Sequence, residues 1–348
     1  MYLMKIVRLS ITVIIAGAAP HLVDASPASA SINDLPTSGC VKDTGTIPFG
    51  VSAAGGFQLV YDPSIGEPRP WYINDHTFVK DARDGTWHLF GITHPNPANP
   101  TDEHVFAHAT APELYGPWTK QAFALHVDPS YGETHLWAPY VLNVDGIYHM
   151  FYCGGGNDTA YAINLATSTD LFHWTRRPQG PLFHDGYDAR DPFVVQVGNQ
   201  WVLYYCGTSE PTGGHHSVLY RTSDDLVNWS QRQIAFTDPT IGTGGGNTES
   251  PYVHEHDGYW YLFIGPRPSQ EVYVGTDVFV SDDPFHFDVS NRVGHINSHA
   301  LEVITDGGVD YVSHCGWGQN GVSLAPLSWP TWSEMLRCPA TAQLFEAY

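Results

Sequence analysis

From residue 71 onward, apolar and polar positions alternate with a period of two in short runs broken by turn residues, and one order of runs recurs five times. Each copy enters through a short polar mouth, turns tightly, returns through an aromatic-rich run and closes on a third. The clearest is Asn247-Thr248-Glu249-Ser250-Pro251-Tyr252-Val253, with a turn at His256-Asp257-Gly258 and a return through Tyr259-Trp260-Tyr261-Leu262-Phe263. Asp-Gly between two alternating runs is a strong hairpin signal. The first copy runs from Trp71 to Val79, turns at Asp84-Gly85 and returns through Trp87 to Phe90. The second turns at Asp145-Gly146 after Leu136 to Leu142, the third at Gly198-Asn199 after Ala189 to Val195, and the fifth at Asp306-Gly307-Gly308 after His299 to Ile304. None of them has the apolar period of a helix.

Copies spaced about 50 to 60 residues apart, each of three or four antiparallel strands, fit radial repetition, which leaves a β-propeller only short, protected edges. The pattern predicts an all-β fold, a five-bladed β-propeller forming a single domain over residues 70–338, with a tail over 339–348. In the lead, residues 31–69, a lone alternating strand from Phe57 to Tyr61 is left over, and it is expected to complete the last blade and close the ring. A β-sandwich would also show short strands, but would not repeat one mouth-and-hairpin order five times.

The innermost strand of a propeller blade lines the central channel, so mouth residues share one funnel. Three mouths carry acids: Asp75, Asp191 and Glu249. Asp75 and Glu249 each stand three residues before an aromatic, Phe78 and Tyr252, and are expected to share a phase; Asp191 stands two before Phe193. Crowded, buried carboxylates cannot all stay ionised. Glycoside hydrolysis uses that condition, with one carboxylic acid protonating the leaving oxygen and one carboxylate activating water or attacking carbon. Glu249 has the longer reach and follows the glycine-rich run 242–246, which makes it the acid. Asp75 is the base or nucleophile, and Asp191 orients Glu249 and tunes it. Taken singly, each is equally a turn carboxylate bonding its own backbone. Three at recurring mouths point to catalysis over a propeller that only binds glycans.

Asn74 and His76 flank Asp75 as substrate-binding candidates. Trp137, with His135, reads equally as a stacking platform at the second mouth or as a core residue, and Arg190 as holding a sugar hydroxyl, pairing with Asp191, or both. His215-His216 lacks zinc-site spacing and reads as an exposed loop.

Charge narrows the partners. With 36 acidic and 15 basic residues, a net charge of −21 excludes nucleic acid and anionic membranes, which need a basic surface. Aromatic residues, 13% of the chain, suit the faces of sugar rings, so an oligo- or polysaccharide is the expected partner of a monomer. Lys5 and Arg8, the apolar Ile11 to Ala19 and Ala28-Ser29-Ala30 read as a signal peptide over residues 1–30, giving a secreted protein, extracellular or periplasmic. Of five cysteines, Cys40 and Cys338 could bridge and lock the closure, while Cys153, Cys206 and Cys315 end apolar strands and read as buried thiols.

Asn74-Asp75-His76, Trp137-Ala138-Pro139, Asp191-Pro192 and Glu249-Ser250-Pro251 resemble the blade-mouth motifs of glycoside hydrolase family 43 and its relatives over roughly residues 70 to 330. The resemblance implies an inverting hydrolase of arabinofuranosides or xylosides, with Asp75 as base, Asp191 as pKa modulator and Glu249 as acid. It implies no required cofactor, but a structural cation such as calcium on the propeller axis near His314, with His299 as a second candidate. Two positions depart from the family: His76 stands where proline is usual, and Ser250 where glycine is. Arg190-Asp191-Pro192 is closer to the fructosidases of families 32 and 68, which are retaining and use the first Asp as nucleophile. Both stereochemical outcomes stay open.

Overall fold

The computed structural model describes residues 50–156, 161–240, 242, 248–265, 275–316 and 318–330. Cys40, Cys338, the signal segment and residues 243–247 of the glycine-rich stretch lie outside the described residues.

Five antiparallel sheets follow one another along the chain as five blades. Their innermost strands are Trp71–Lys80, Leu136–Val144, Arg190–Val197, Glu249–His256 and Val303–Asp306. The second and third strands follow outward in each blade, and short pairs such as Thr119–Lys120 and Thr175–Arg176 finish the rims. Among the described residues the helical elements are two 3-10 turns, Pro100–Asp102 and Pro129–Tyr131, and no helix is long and apolar enough to cross a membrane.

The ring closes as the lone strand predicts. Gln58–Tyr61 pairs with Val322–Ser328, placing Gln58 opposite Leu324, and Ser52 and Ala53 lie opposite Ser328 and Leu327. The N-terminal segment also reaches the fourth blade, where the Val51 N–H donates to the Val293 carbonyl at 2.9 Å. On the inside, the Phe78 N–H donates to Glu302 Oε2 at 2.9 Å, joining the first blade to the fifth.

Alternation places every second side chain between blades, so the core is divided into five apolar layers. Phe90, Ile92 and Phe106 meet Val141, Met150 and Tyr152 between the first two blades. Phe193, Tyr204, Val253 and Leu262 fill the gap between the third and fourth, and Tyr61, Ile73, Leu89 and Leu324 the gap where the ring closes. Each such side chain contributes about 1.5–3 kcal/mol by leaving water. Cys153, Cys206 and Cys315 are buried free thiols whose burial pushes their pKa well up, as small apolar groups.

Three of the expected turns have both central residues at positive φ, as the strand twist requires: Asp145 at 51° with Gly146 at 84°, Asp257 at 51° with Gly258 at 82°, and Gly307 at 59° with Gly308 at 80°. The first blade differs. Asp84-Gly85 is not a two-residue turn but part of a longer loop, tied by Asp81, whose carboxylate accepts from the Arg83 N–H at 2.8 Å and the Tyr148 hydroxyl at 3.0 Å. In the fifth blade the turn falls on Gly307 and Gly308.

A Cβ at Gly294 would lie 2.6 Å from the Val51 carbonyl oxygen and 2.9 Å from Val278 Cγ2. Gly294→Ala is therefore expected to cost about 1–3 kcal/mol by overpacking the closure, read as a lowered urea midpoint.

Candidate active site

The inner strands do not enter the funnel as regular strands. Their pairing slips by one residue between Ile73 and His76, Trp137 and Tyr140, Arg190 and Phe193, and Glu249 and Tyr252. In three of these bulges the first inserted residue is left-handed without being glycine, Ala138 at φ 46°, Asp191 at 56° and Ser250 at 52°, and Ala300, just before the fifth inner strand, is left-handed at 47°. Pro139, Pro192 and Pro251 follow three of these, as suits a bulge where no ladder N–H is needed. A left-handed non-glycine residue costs roughly 1–2 kcal/mol, and such strain gathers where backbone is bent to aim side chains.

This register corrects the phase expected of the acids. Glu249 matches Arg190 and Trp137 at the entry, Asp191 matches Ser250 and Ala138 inside the bulge, and Asp75 matches Pro192 and Pro251 just beyond it. Tyr252 corresponds to His76, not to Phe78, so Asp75 and Glu249 do not share a phase. The three carboxylates come from three different steps of one repeated bend.

Ser250 ties them together. Its hydroxyl donates to Asp75 Oδ1 at 2.5 Å and its N–H to Asp191 Oδ2 at 3.0 Å. Arg190 Nη1 donates to Glu249 Oε1 at 3.1 Å, and Arg190 Nε to both oxygens of Asp188 at 3.1 and 3.0 Å. The expected partner of Arg190, Asp191, is replaced by Asp188 and Glu249. His216 Nε2 lies 2.9 Å from Asp188 Oδ2 and supports the arginine from behind. His216 thus overturns its reading as an exposed loop residue: it is fully buried in the strand Gly213–Ser223, while its neighbour His215 is exposed. Asp188 carried no motif in the sequence, and the roles of Ser250 and His216 could not be read there, since they depend on which strands become neighbours.

Asn74, Asp75, Trp137, Arg190, Asp191 and Glu249 line one pocket of about 420 Å³, walled also by Pro100 and Glu103 of the loop after the second strand. Trp137 stacks on His135 with centroids 3.8 Å apart, and Tyr161 stands edge-on to His135 at 5.5 Å. Glu103, buried and accepting from the Tyr72 hydroxyl at 2.6 Å, is a pocket carboxylate that the sequence did not flag.

A second cavity of about 330 Å³ shares Asp75 and Asp191 and is lined from every blade, His76, Tyr140, Phe193, Tyr252 and Glu302 among its residues. Phe193 packs against Tyr252 at 4.2 Å and Tyr140 at 4.8 Å. His76 lies buried in the lining of this cavity, beside Asp75. Burial, with His314 and His299 nearby, lowers its pKa to about 3. Burial raises that of Glu302 to about 8, against the Phe78 N–H donated to it. Asp191 is pushed up as well, by burial first and by the charges of Asp75 and Glu249, with Arg190 opposing.

The axial cation implied for His314 finds a poor donor set. His314 Nδ1 is buried without a hydrogen-bond partner, but among the described residues no group of three clustered His, Cys, Asp or Glu ligands includes His314 or His299. Imidazole nitrogens without clustered oxygen ligands do not suit a hard, oxygen-seeking cation.

The profile of the glycosyl hydrolases family 32 N-terminal domain matches residues 67–252, from the first inner strand to the fourth, and so takes in all three acids. The chain is 25% identical over 221 residues to a probable arabinan endo-1,5-alpha-L-arabinosidase C of Aspergillus niger, covering 60% of this chain and 63% of that protein. It is 26% identical over 214 residues to a probable sucrose-6-phosphate hydrolase of Psychromonas ingrahamii, covering 59% and 38%. The matches thus span 63% or less of the length of these relatives. Solved structures share the fold: a thermostable family-43 glycoside hydrolase at TM-score 0.57 and 18% identity, covering 76% of this chain and 92% of that one, and a Bombyx mori GH32 beta-fructofuranosidase at 0.60 and 18%, covering 78% and 62%.

The floor makes a pH prediction. Glu302 binds its proton more tightly folded than unfolded, so its contribution is complete below the ordinary glutamate pKa of 4.5 and is lost as pH rises toward about 8. Glu302→Gln, which keeps an acceptor for the Phe78 N–H, should flatten the fall in stability between those limits, measured by urea unfolding across the range.

Proposed function

The chain belongs to the family defined by the glycosyl hydrolases family 32 N-terminal domain, and we propose that it is a glycoside hydrolase of furanosidic or pentosyl linkages, acting on arabinan-like chains. The observation that carries this reading is the convergence of Asp75, Asp191 and Glu249 on one pocket, with Ser250 bonded to both aspartates. A propeller that only holds glycans has no use for three crowded carboxylates beside an aromatic platform.

In this reading Trp137 stacks on a sugar face and Arg190 fixes the direction of the Glu249 carboxyl. Glu249 gives its proton to the leaving oxygen as the glycosidic C–O bond breaks. Asp75 takes a proton from water, whose oxygen forms the new bond to the anomeric carbon, in an inverting displacement. Asp191, raised by burial, keeps acidic character within the cluster and holds the Ser250 backbone in place. The aromatic floor keeps bulk water from below, which strengthens each of these interactions. No step is assigned to a cation. The reading includes export, with residues 1–30 removed.

A second reading is favoured by Arg190-Asp191-Pro192 and by the family 32 profile: a retaining fructosidase in which Asp75 attacks carbon and the Ser250 hydroxyl steadies that nucleophile. Sugar release from arabinan, arabinoxylan, inulin and levan separates the two. Pentose is the expected product; fructose with net retention would select the second reading, and no release would overturn both. Glu249→Gln should lower release by about 10²–10⁴-fold, the usual contribution of a general acid. Ser250→Ala should lower kcat/KM about 10- to 100-fold, because a hydrogen bond to a charged group is worth about 1.5–3 kcal/mol.

A further inference from the structure

The strand that carries Glu249 at one end carries His254 and His256 at the other, about 20 Å away at the rise of an extended strand. Two residues apart on one strand, both imidazoles leave the same face. They meet Asp310 of the fifth blade's second strand, Val309–His314. His254 Nε2 lies 4.0 Å, and His256 Nδ1 3.9 Å, from the same oxygen, Asp310 Oδ2. Among the described residues this is where three ligand atoms of His, Cys, Asp or Glu side chains gather, all within 4.8 Å of one another.

Those distances are too long for hydrogen bonds. They are close to what donors sharing one ion show, since ligands about 2.0–2.1 Å from a tetrahedral zinc stand about 3.4 Å apart. The pieces are also held in place. Trp329 Nε1 donates to Asp310 Oδ2 at 2.8 Å and the Thr305 hydroxyl to Oδ1 at 2.6 Å. Both imidazoles lie nearly parallel to the Trp329 indole, His256 at 4.1 Å and 11°, His254 at 5.4 Å and 16°. Side-chain exposures of 22%, 29% and 17% leave room for a water as fourth ligand.

We propose that His254, His256 and Asp310 form a site for a zinc-class divalent cation at the seam between the fourth and fifth blades. Two imidazoles and a carboxylate favour zinc, nickel or copper over calcium or magnesium. The ion would pin the closing blade to its neighbour on the face away from the acids, so the site does not depend on the proposed hydrolysis.

The test is calorimetric titration of zinc chloride into chelator-stripped full-length protein, with calcium chloride as control. One saturable zinc site per chain, no calcium counterpart and a melting temperature raised by zinc are expected. With 19 histidines in the chain, the variants decide the location. H254Q/H256Q, and separately D310N, which keeps an acceptor for Trp329, should each weaken the site at least tenfold and abolish the thermal shift. Cobalt(II) should give the intense visible absorption of tetrahedral coordination in the wild type and lose it in D310N. The absence of saturable zinc binding, or wild-type affinity in the folded variants, overturns the site; binding without a thermal shift overturns its pinning role.

Discussion

The bulge at the mouth of four of the five inner strands is the constraint on which the rest depends. One extra residue in a strand bends it and lets neighbouring side chains face the same way, against the alternation of a regular strand. Repeated around the axis, that bend brings Glu249, Asp191 and Asp75 into one pocket from three unlike steps of the same motif. It is held at left-handed Ala138, Asp191 and Ser250, strain that the apolar layers between blades are large enough to offset.

Ser250 shows how the chain uses that strain. Glycine would accept its φ of 52° at less cost, but would have no hydroxyl to give Asp75. The departure from the glycine usual in family 43 therefore exchanges backbone ease for a fixed carboxylate. Arg190 plays the corresponding part for Glu249, itself held by Asp188 and His216. Below them, aromatic rings from three blades and the buried Glu302 seal the axis.

The fold was legible because period-two alternation and Asp-Gly turns are local signals, repeated often enough to give the number of blades. Even the closing strand could be foreseen, as a run with no partner in its own repeat. The acids were legible by type and place, but not by phase: Phe78 looked like the counterpart of Tyr252, and only the paired register shows His76 there. Asp188 escaped notice and His216 was misread as an exposed loop residue, because their contact, across 28 residues, depends on blade geometry that no short motif encodes. The six residues 81–86 misled for a related reason: Asp84-Gly85 has turn composition, but the tie through Asp81 to Tyr148 in the next blade fixes a wider loop.

The closing strand also bears on the order in which the molecule can be made. Gln58–Tyr61 leaves the ribosome before any blade, yet its partner strand Val322–Ser328 comes after every inner strand. The bond from Phe78 to Glu302 spans 224 residues in the same way. Contacts so distant in sequence form late, after their loop entropy has been met by other contacts. Blades can assemble one by one as they emerge, but the fifth waits for both ends of the ring. Because the floor needs Glu302 as well as the other four blades, a growing chain has all three acids made, and its pocket not yet sealed, only in the interval between Glu249 and Glu302.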